Sequence, residues 1–239
     1  MGHAVVAGVD EAGWGALAGP VSVGAAILPK EQPPFPLRDS KALKKKRREA
    51  LFEQVIEWCT HWAVGHATHE ECDRLGASEA RTLASHRALG ALGVVPFVLV
   101  DGGQDFVGSD TYETKCVPKG DTVSVFIAAA AVLAKVVRDR IMRDLSGHYA
   151  GYDLEVNKGY YGHNERHKDA LLALGPSGVH RGSAELRKLK VKLRDLPLTG
   201  NSHHVRSEVA KVPSEFADYS QLSEWVDSNS VTRSSMLTG

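Results

Sequence analysis

The sequence has little of several features that would place it in a special class of proteins. No apolar run reaches the ~18–20 residues that cross a bilayer, so we expect no membrane span. The first residues lack the basic-then-apolar pattern of a signal peptide, and the three cysteines show no metal-binding spacing. We therefore expect reduced thiols and a cytoplasmic location.

A net charge is also missing, because 29 basic residues balance 29 acidic ones. A domain-wide basic surplus would favour nucleic-acid binding, and the sequence does not have one. The basic residues are clustered instead, over residues 41–48 and 181–194. Since salt screens charges beyond roughly 8–10 Å, a local cluster can bind phosphate without a net surplus. The basic run at residues 44–48 has two interpretations, a phosphate-binding patch or a solvated helix start.

The sequence does contain an alternation of apolar strands and amphipathic helices. Apolar runs ended by turn residues predict strands over residues 5–9, 21–28, 62–68, 95–100 and 111–117. Helical spacing predicts helices over residues 45–60, 78–92, 127–145 and 165–174, with Ser78 as an N-cap. The charged second half of the long helix, around Arg138, Asp139 and Arg140, is expected to face solvent. This order indicates an α/β fold with a mixed sheet.

Acidic residues follow apolar segments at places where ligands gather in α/β folds. Asp10 and Glu11 end the first strand, Asp101 ends the fourth, and Asp121 precedes the long helix. Converging carboxylates repel one another unless a cation intervenes, and hard oxygen ligands suit Mg²⁺ or Mn²⁺. Two such ions ~3.5–4 Å apart can activate a water molecule and stabilise the leaving oxygen of a phosphodiester. Each acid alone is more typical of a turn or a helix cap, so the spacing indicates only a candidate metal site.

Two details of the acidic residues stay open at this point. Adjacent strand residues point to opposite faces, so Asp10 and Glu11 cannot both face one site from a regular strand. We expect a bulge, or the start of the following glycine loop, to turn one of them. Asp139 lies among arginines in a predicted helix, where it is either a further metal ligand or, more commonly, part of a solvated charge pair.

Several blocks of this sequence form a recognisable set. The first block runs from Gly8 to Val21, and the others lie at residues 39–43, 98–102, 119–121, 127–140, 157–160 and 180–183. Together these blocks resemble bacterial ribonuclease HII. They follow the family order over residues 4–183. The resemblance implies a ribonuclease H-like fold, in which a mixed five-stranded sheet is flanked by helices and strands 1 and 4 are neighbours. It also implies a small helical C-terminal part within a catalytic domain of residues 1–196.

The resemblance implies an endonuclease that cuts the RNA strand of RNA–DNA hybrids. Cleavage would also occur on the 5′ side of a single ribonucleotide embedded in duplex DNA, leaving a 3′-hydroxyl and a 5′-phosphate. Asp10, Glu11, Asp101 and Asp121 would bind two Mn²⁺ or Mg²⁺ ions. We expect a monomer. The alternatives are a catalytically weakened hybrid-binding module of the same fold, or another nuclease of the ribonuclease H-like superfamily.

Six further residues match positions that contact substrate in the family. Gly13, Trp14 and Gly15 form the loop that senses the ribose 2′-hydroxyl, where glycine lets the backbone approach the sugar closely. The family loop is usually Gly-Arg-Gly, so Trp14 predicts weaker binding or altered junction preference with the chemistry retained. The remaining matches are Ser40 and Lys41 for backbone phosphates, and Tyr160, or alternatively Tyr161, for stacking on the following deoxyribose.

The composition changes near residue 197, where serine, threonine, asparagine and histidine become frequent. We expect residues 197–239 to form a disordered tail. Within it, Gln221–Val226 resembles the peptides that bind bacterial sliding clamps, and a chance amphipathic turn is the competing interpretation.

Overall fold

The computed structural model describes residues 5–37, 45–93, 95, 97–161 and 165–182. The chain divides into two compact units. The first contains the described residues up to Trp14 and Pro20–Arg138, and the second contains Gly15–Gly19 and the described residues from Asp139 onward. The predictions for Ser40, Lys41, the boundary at residue 196 and Gln221–Val226 lie outside the described residues. No described helix is both long and apolar enough to cross a membrane.

A five-stranded mixed sheet forms the centre of the first unit. Its strands follow the order β3-β2-β1-β4-β5. Strand β1 is antiparallel to β2, and β2 is antiparallel to β3, whereas β1–β4 and β4–β5 are parallel pairs. This arrangement confirms the expected sheet and the pairing of strands 1 and 4. The strands are β1 (Val6–Ala12), β2 (Val21–Ile27), β3 (His61–Ala67), β4 (Phe97–Asp101) and β5 (Glu113–Val117).

Helices flank this sheet, and the four long ones coincide closely with the predicted spans. In the first unit they are α1 (Lys45–Trp58), α2 (His69–Leu75), α3 (Ala77–Leu92), α4 (Gly120–Val123) and α5 (Val125–His148), the last of which ends in the second unit. The short helices were not predicted. Helix α2 carried a usable sequence signal, because Thr68 and Glu71 form a capping box at its start.

Successive residues of β1 project to opposite faces of the sheet, which we call the α3 side and the α5 side. On the α3 side, Ala7 and Val9 belong to the apolar core that includes Ala84 of helix α3. On the α5 side, a Cβ atom built on Gly8 would lie 2.3 Å from the backbone of Phe126. Helix α5 therefore packs directly on the bare backbone of β1, which only glycine allows.

The structure corrects three sequence predictions about the helices. The second half of α5 does not face solvent at Arg138, which is fully buried, or at Asp139, which is nearly so. The Arg138 Nε atom donates to the carbonyl oxygen of Pro20 at 2.9 Å, and such main-chain bonds offset the cost of burying a charged group. Because Asp139 is buried, it is not part of a solvated charge pair. Ser78 is not an N-cap, because α3 begins at Ala77 and its N-cap is Gly76, with no side-chain cap bond.

The second unit contains the small helical C-terminal part. Its helices beyond the end of α5 are α6 (Leu154–Asn157) and α7 (Glu165–Leu174). Main-chain bonds hold residues 15–19 within this unit: Leu17 N donates to Gly159 O at 2.8 Å, and Arg181 N donates to Leu17 O at 2.7 Å. The chain just after the first acidic residues is thus fixed by backbone bonds to segments far along the sequence.

Candidate metal centre and substrate loop

Two of the four predicted metal-binding acids leave neighbouring strands on the same side of the sheet. In the parallel pair β1–β4, Val9 is level with Val100, so Asp10 and Asp101 follow side by side. Val9 and Val100 both belong to the core on the α3 side, and the next residue of each strand therefore projects to the α5 side. Neighbouring strands lie about 4.8 Å apart, which brings the two strand ends close together. Asp10 is only 1% exposed.

Asp121 is connected to this pair through the backbone of helix α4. The Gly120 N–H donates to Asp101 Oδ1 at 2.7 Å. A Cβ on Gly120 would lie 3.0 Å from the same oxygen and 2.4 Å from Ile127 Cδ1, so the bare glycine lets α4 begin directly on the carboxylate. Asp121 is the next residue and lies in the first turn. The N-cap of α4 is Lys119 and the long helix α5 begins only at Val125, so Asp121 occupies the N-cap position of neither helix.

Glu11 does not lie on the same side of the sheet as Asp10. The β1–β2 ladder continues in register from Ala7 to Ala12, so these two strands contain no bulge. The expected bulge is therefore absent, and Glu11 projects to the α3 side. The Glu11 N–H donates to Asp10 Oδ1 at 2.7 Å, which fixes the buried carboxylate. The Glu11 side chain itself lies beside helix α3, with Oε1 at 3.7 Å from Arg81 Nη1.

Sequence reasoning missed Arg81, which lies close to several of the candidate residues. Its guanidinium carbon is 4.4 Å from the centre of the Trp14 ring and 4.5 Å from that of Phe106. Both distances are typical of cation–π contacts. The Arg81 side chain is 12% exposed, whereas Trp14 is 42% exposed. No local pattern could reveal this cluster, because its three members come from widely separated segments.

The two loop glycines have different surroundings. Gly13 has φ +82°, and a Cβ built there would lie 1.8 Å from Arg138 Nε. Glycine is therefore needed at this position both for its backbone conformation and for the buried guanidinium beneath it. Gly15 has open space around its Cα. The predicted close approach of a sugar to these glycines stays a prediction.

A neutral histidine lies on the α5 side near the same loop. Burial, together with the charges of Arg138 and Arg87, lowers the pKa of His66 to about 4. Its Nδ1 is 2.8 Å from Ser22 Oγ, and Ser22 pairs with Ala12 at the end of β1. The serine and histidine are both buried, so this pair is structural and offers no accessible nucleophile.

In the second unit, the backbone of Tyr160 is held from two directions. Its N–H donates to Asn157 O at 3.0 Å, and its carbonyl oxygen lies 3.0 Å from His167 Nδ1. His167 Nε2 in turn lies 3.0 Å from His180 Nε2, and both rings are buried. Burial lowers the pKa of His167, which favours its neutral form. Tyr160 and Tyr161 are both half-buried, so their exposure does not distinguish the two stacking candidates.

The ends of β1 and β4 and the start of α4 supply carboxylate oxygens, which suit a hard divalent cation better than a thiolate- or imidazole-binding metal. As the side chains stand, no group of three or more described His, Cys, Asp and Glu residues is arranged to hold a metal ion. The strand register and the hydrogen bond from Gly120 nevertheless bring the backbones of Asp10, Asp101 and Asp121 close together. Glu11 projects to the other side of the sheet.

Comparisons with known proteins identify the family of this chain. The sequence model of the family described as Ribonuclease HII matches residues 7–183. The ribonuclease HII of Streptomyces avermitilis is 47% identical over 181 residues, covering 75% of this chain and 76% of the relative. That of Thermus thermophilus is 48% identical over 178 residues, covering 74% and 84%. The ribonuclease H2 structure from Pyrococcus horikoshii has a TM-score of 0.64 and 26% identity, over 80% of this chain and 100% of that one. The chain therefore belongs to the ribonuclease HII family and is a nuclease of ribonuclease H type 2.

Proposed function

We propose that this chain hydrolyses the RNA strand of RNA–DNA hybrids and also cuts on the 5′ side of single ribonucleotides embedded in duplex DNA. The observation that carries the proposal is the side-by-side exit of Asp10 and Asp101 from parallel strands. The hydrogen bond from Gly120 ties the backbone of Asp121 to the same place. Family membership supplies the substrate class, because the relatives are ribonucleases.

Asp10, Glu11, Asp101 and Asp121 would hold two divalent cations, Mn²⁺ or Mg²⁺. When bound, such cations lower the pKa of an attacking water molecule and stabilise the charge on the leaving 3′ oxygen. The chain orients two of the carboxylates through main-chain N–H groups, one on Asp10 and one on Asp101. An ionised carboxylate has about four acceptor positions, so one main-chain N–H bond does not exhaust those of Asp10 or Asp101. Glu11 has the longest side chain of the four and would turn around the end of β1 to join them.

Substrate contacts are proposed for the loop and for the second unit. Gly13, Trp14 and Gly15 would lie against the ribonucleotide, and Tyr160 would stack on the following deoxyribose. The main-chain bonds of Tyr160 to Asn157 and His167 support this role, because they limit the movement of its backbone. Ser40 and Lys41 would hold phosphates. Clamp binding by Gln221–Val226 stays a prediction, which deleting those residues and measuring clamp affinity would decide.

Cleavage of a labelled duplex with one embedded ribonucleotide tests the proposal. We expect cleavage with Mn²⁺ or Mg²⁺ and none with a chelator, giving 3′-hydroxyl and 5′-phosphate ends. An all-DNA duplex of the same sequence is the control, and cutting of that duplex would favour another nuclease of the superfamily. Tight binding without cleavage would favour the hybrid-binding module. Full activity in Asp10→Asn and Asp101→Asn would refute the assignment of the metal site.

A further inference from the structure

An aromatic and cationic cluster lies on the α3 side of the sheet, formed by Trp14, Arg81 and Phe106. The Arg81 guanidinium is within cation–π distance of both rings. Its Nη1 is 3.7 Å from Glu11 Oε1, which is longer than a hydrogen bond. A single guanidinium therefore contacts both an exposed indole ring and a candidate metal ligand, which places the ring in the neighbourhood of Glu11.

The Phe106 part of this cluster is fixed by its own loop. Asp105 Oδ1 accepts from Val107 N at 2.9 Å, and its Oδ2 accepts from Thr114 Oγ1 at 2.7 Å. The carbonyl oxygen of Phe106 accepts from Thr82 Oγ1 at 2.9 Å, and Thr82 is the residue after Arg81 on helix α3. Phe106 is buried, so its ring forms a fixed surface against which the Arg81 guanidinium packs.

Arg81 differs from an ordinary surface arginine on the same helix. Arg87 donates to both oxygens of Glu71, at 2.7 and 2.8 Å, and its side chain is 46% exposed. Arg81 is largely buried between two rings, and its Nε makes no hydrogen bond within the described part of the chain. Burying the Nε atom without a hydrogen bond is costly, and the contacts of the guanidinium with two rings and with Glu11 offset part of that cost.

Trp14 is the exposed member of the cluster. The large hydrophobic side chains that the described residues expose are those of Trp14, Val123 and Val156, and only the first is aromatic. Aromatic rings at the surface of nucleic-acid-binding proteins stack on bases without sequence preference, because every base has a π-face. A ring that is held rigid before binding loses little conformational entropy when it stacks.

We propose that Trp14 is a stacking platform for a nucleotide of the substrate, and that Arg81 is the residue that positions it. This inference rests on the proposed function, since it specifies how that site binds a nucleic acid. Phe106 supports Arg81, Arg81 supports the indole ring, and the exposed part of the ring receives a base or sugar on the side of the sheet to which Glu11 projects. The Trp14 side chain is thereby assigned a contact of its own, separate from the backbone contacts expected of the glycine loop.

The first test is binding without cleavage, measured by fluorescence anisotropy in chelator with the single-ribonucleotide duplex. Trp14→Ala should weaken binding roughly 5- to 100-fold, the range that base–aromatic stacking spans. Trp14→Phe keeps an aromatic ring and should stay within about threefold of wild type. Trp58→Phe is the matched control, because Trp58 is half-buried against Phe35 and lies outside the cluster.

A double-mutant cycle tests the role of Arg81. If Arg81 acts through the indole ring, Arg81→Met should weaken binding in the wild-type background and change it by less than about twofold in the Trp14→Ala background. Arg81→Lys retains the charge but not the planar group that stacks, so it should restore little binding. Arg87→Met, which removes an arginine from the same helix, should leave binding unchanged. In steady-state cleavage, Arg81→Met should raise KM more than it lowers kcat.

The possible results separate this inference from the proposed function. A wild-type chain that neither binds nor cuts the ribonucleotide duplex overturns both. A wild-type chain that cuts normally, while Trp14→Ala binds as tightly as wild type, overturns the stacking platform alone. Equal losses from Arg81→Met in both backgrounds overturn the positioning role, because Arg81 would then act independently of the ring. The inference is supported if Trp14→Ala loses affinity for the duplex, Trp14→Phe retains it, and the effect of Arg81→Met depends on the presence of Trp14.

Discussion

The two sides of the sheet at the end of β1 handle charge in different ways. On the α5 side, Asp10 and Asp101 are held by main-chain N–H groups, and helix α5 packs directly on strand glycines. On the α3 side, Glu11 lies beside a guanidinium that is enclosed by two aromatic rings. Two consecutive residues of one strand thus enter different environments, because side chains alternate along a strand.

Under the proposed function, this difference would separate the residues that bind metal from those that bind substrate. Backbone donors on the α5 side orient Asp10 and Asp101, and a neutral N–H group adds no positive charge that would compete with the proposed metal ions. The α3 side supplies a fixed positive charge and an exposed ring, which suit a nucleic acid. We therefore expect substitutions on the α5 side to affect the rate of cleavage, and those at Arg81 and Trp14 to affect binding.

The largest expected effect is the loss of cleavage on changing a carboxylate of the α5 side. Asp101→Asn should lower kcat by roughly 10³-fold or more, about 4 kcal/mol of barrier, because it removes a charged ligand oxygen. The thermal unfolding temperature should change little, since an amide oxygen still accepts from Gly120. Asp110→Asn, at an exposed carboxylate in the segment after β4, is the control and should stay within about twofold of wild type. Equal losses of kcat in Asp101→Asn and Asp110→Asn would contradict the proposed role of the α5 side in cleavage.

Acid should destabilise the α5 side through His66. Its pKa is lowered to about 4 by burial and by Arg138 and Arg87, whereas an unfolded histidine titrates near 6.5. Protonation therefore favours unfolding, so the stability from neutral His66 is fully present above about pH 6.5 and is lost as pH falls towards 4. The loss should be about 3 kcal/mol, measured as the free energy of unfolding in urea at several pH values.

A variant identifies the group responsible for this pH dependence. His66→Gln should flatten the profile between pH 6.5 and 4, because the glutamine side chain does not titrate. His148→Gln, at an exposed histidine near the end of α5, should leave the profile as it is in wild type. A wild-type stability that is constant over this range would show that His66 is not held neutral by the fold.

The two loop glycines should respond unequally to alanine. Gly13→Ala should cost about 2 kcal/mol of unfolding free energy, because the new Cβ meets the buried Arg138 guanidinium at a positive φ. Gly15→Ala meets open space and should be nearly neutral for stability. Urea unfolding of both variants checks this. If Gly15→Ala retains its stability but loses affinity for the ribonucleotide duplex, the proposed approach of the sugar to this loop gains direct support.

The smallest effect is expected from the exposed charge pair of helix α3. Arg87→Met should cost about 1 kcal/mol, and the cost should shrink in high salt, because the Arg87 side chain is 46% exposed where it pairs with Glu71. The part that comes from its hydrogen bond to the His66 carbonyl oxygen should persist in high salt. The hydrogen bonds from Arg87 lower the pKa of Glu71, so the pair should weaken only in acid. A larger loss, measured by urea unfolding at low and high salt, would mean that exposed and enclosed arginines of this helix do not differ as proposed.

Much of the architecture could be predicted from local patterns. All five strands and the four long helices lie within a few residues of their predicted spans, because each is coded by the spacing of its own apolar residues. The short helices α4 and α6 had no such signal, since four residues are too few to show a helical period. The acids at strand ends were also visible, because an apolar run followed by a carboxylate is a local feature.

The sequence by itself determined the family and the order of the strands and long helices, and it supplied the acids that are proposed to bind metal, since these features depend on neighbours along the chain. Only the tertiary structure decided that Arg138 and Asp139 are buried, that Glu11 faces away from Asp10, and that Arg81 lies between two rings. The physical reason is that the cost of burying a charge depends on the groups around it. Those groups come from segments that are remote in sequence and meet only when the sheet and its helices pack together.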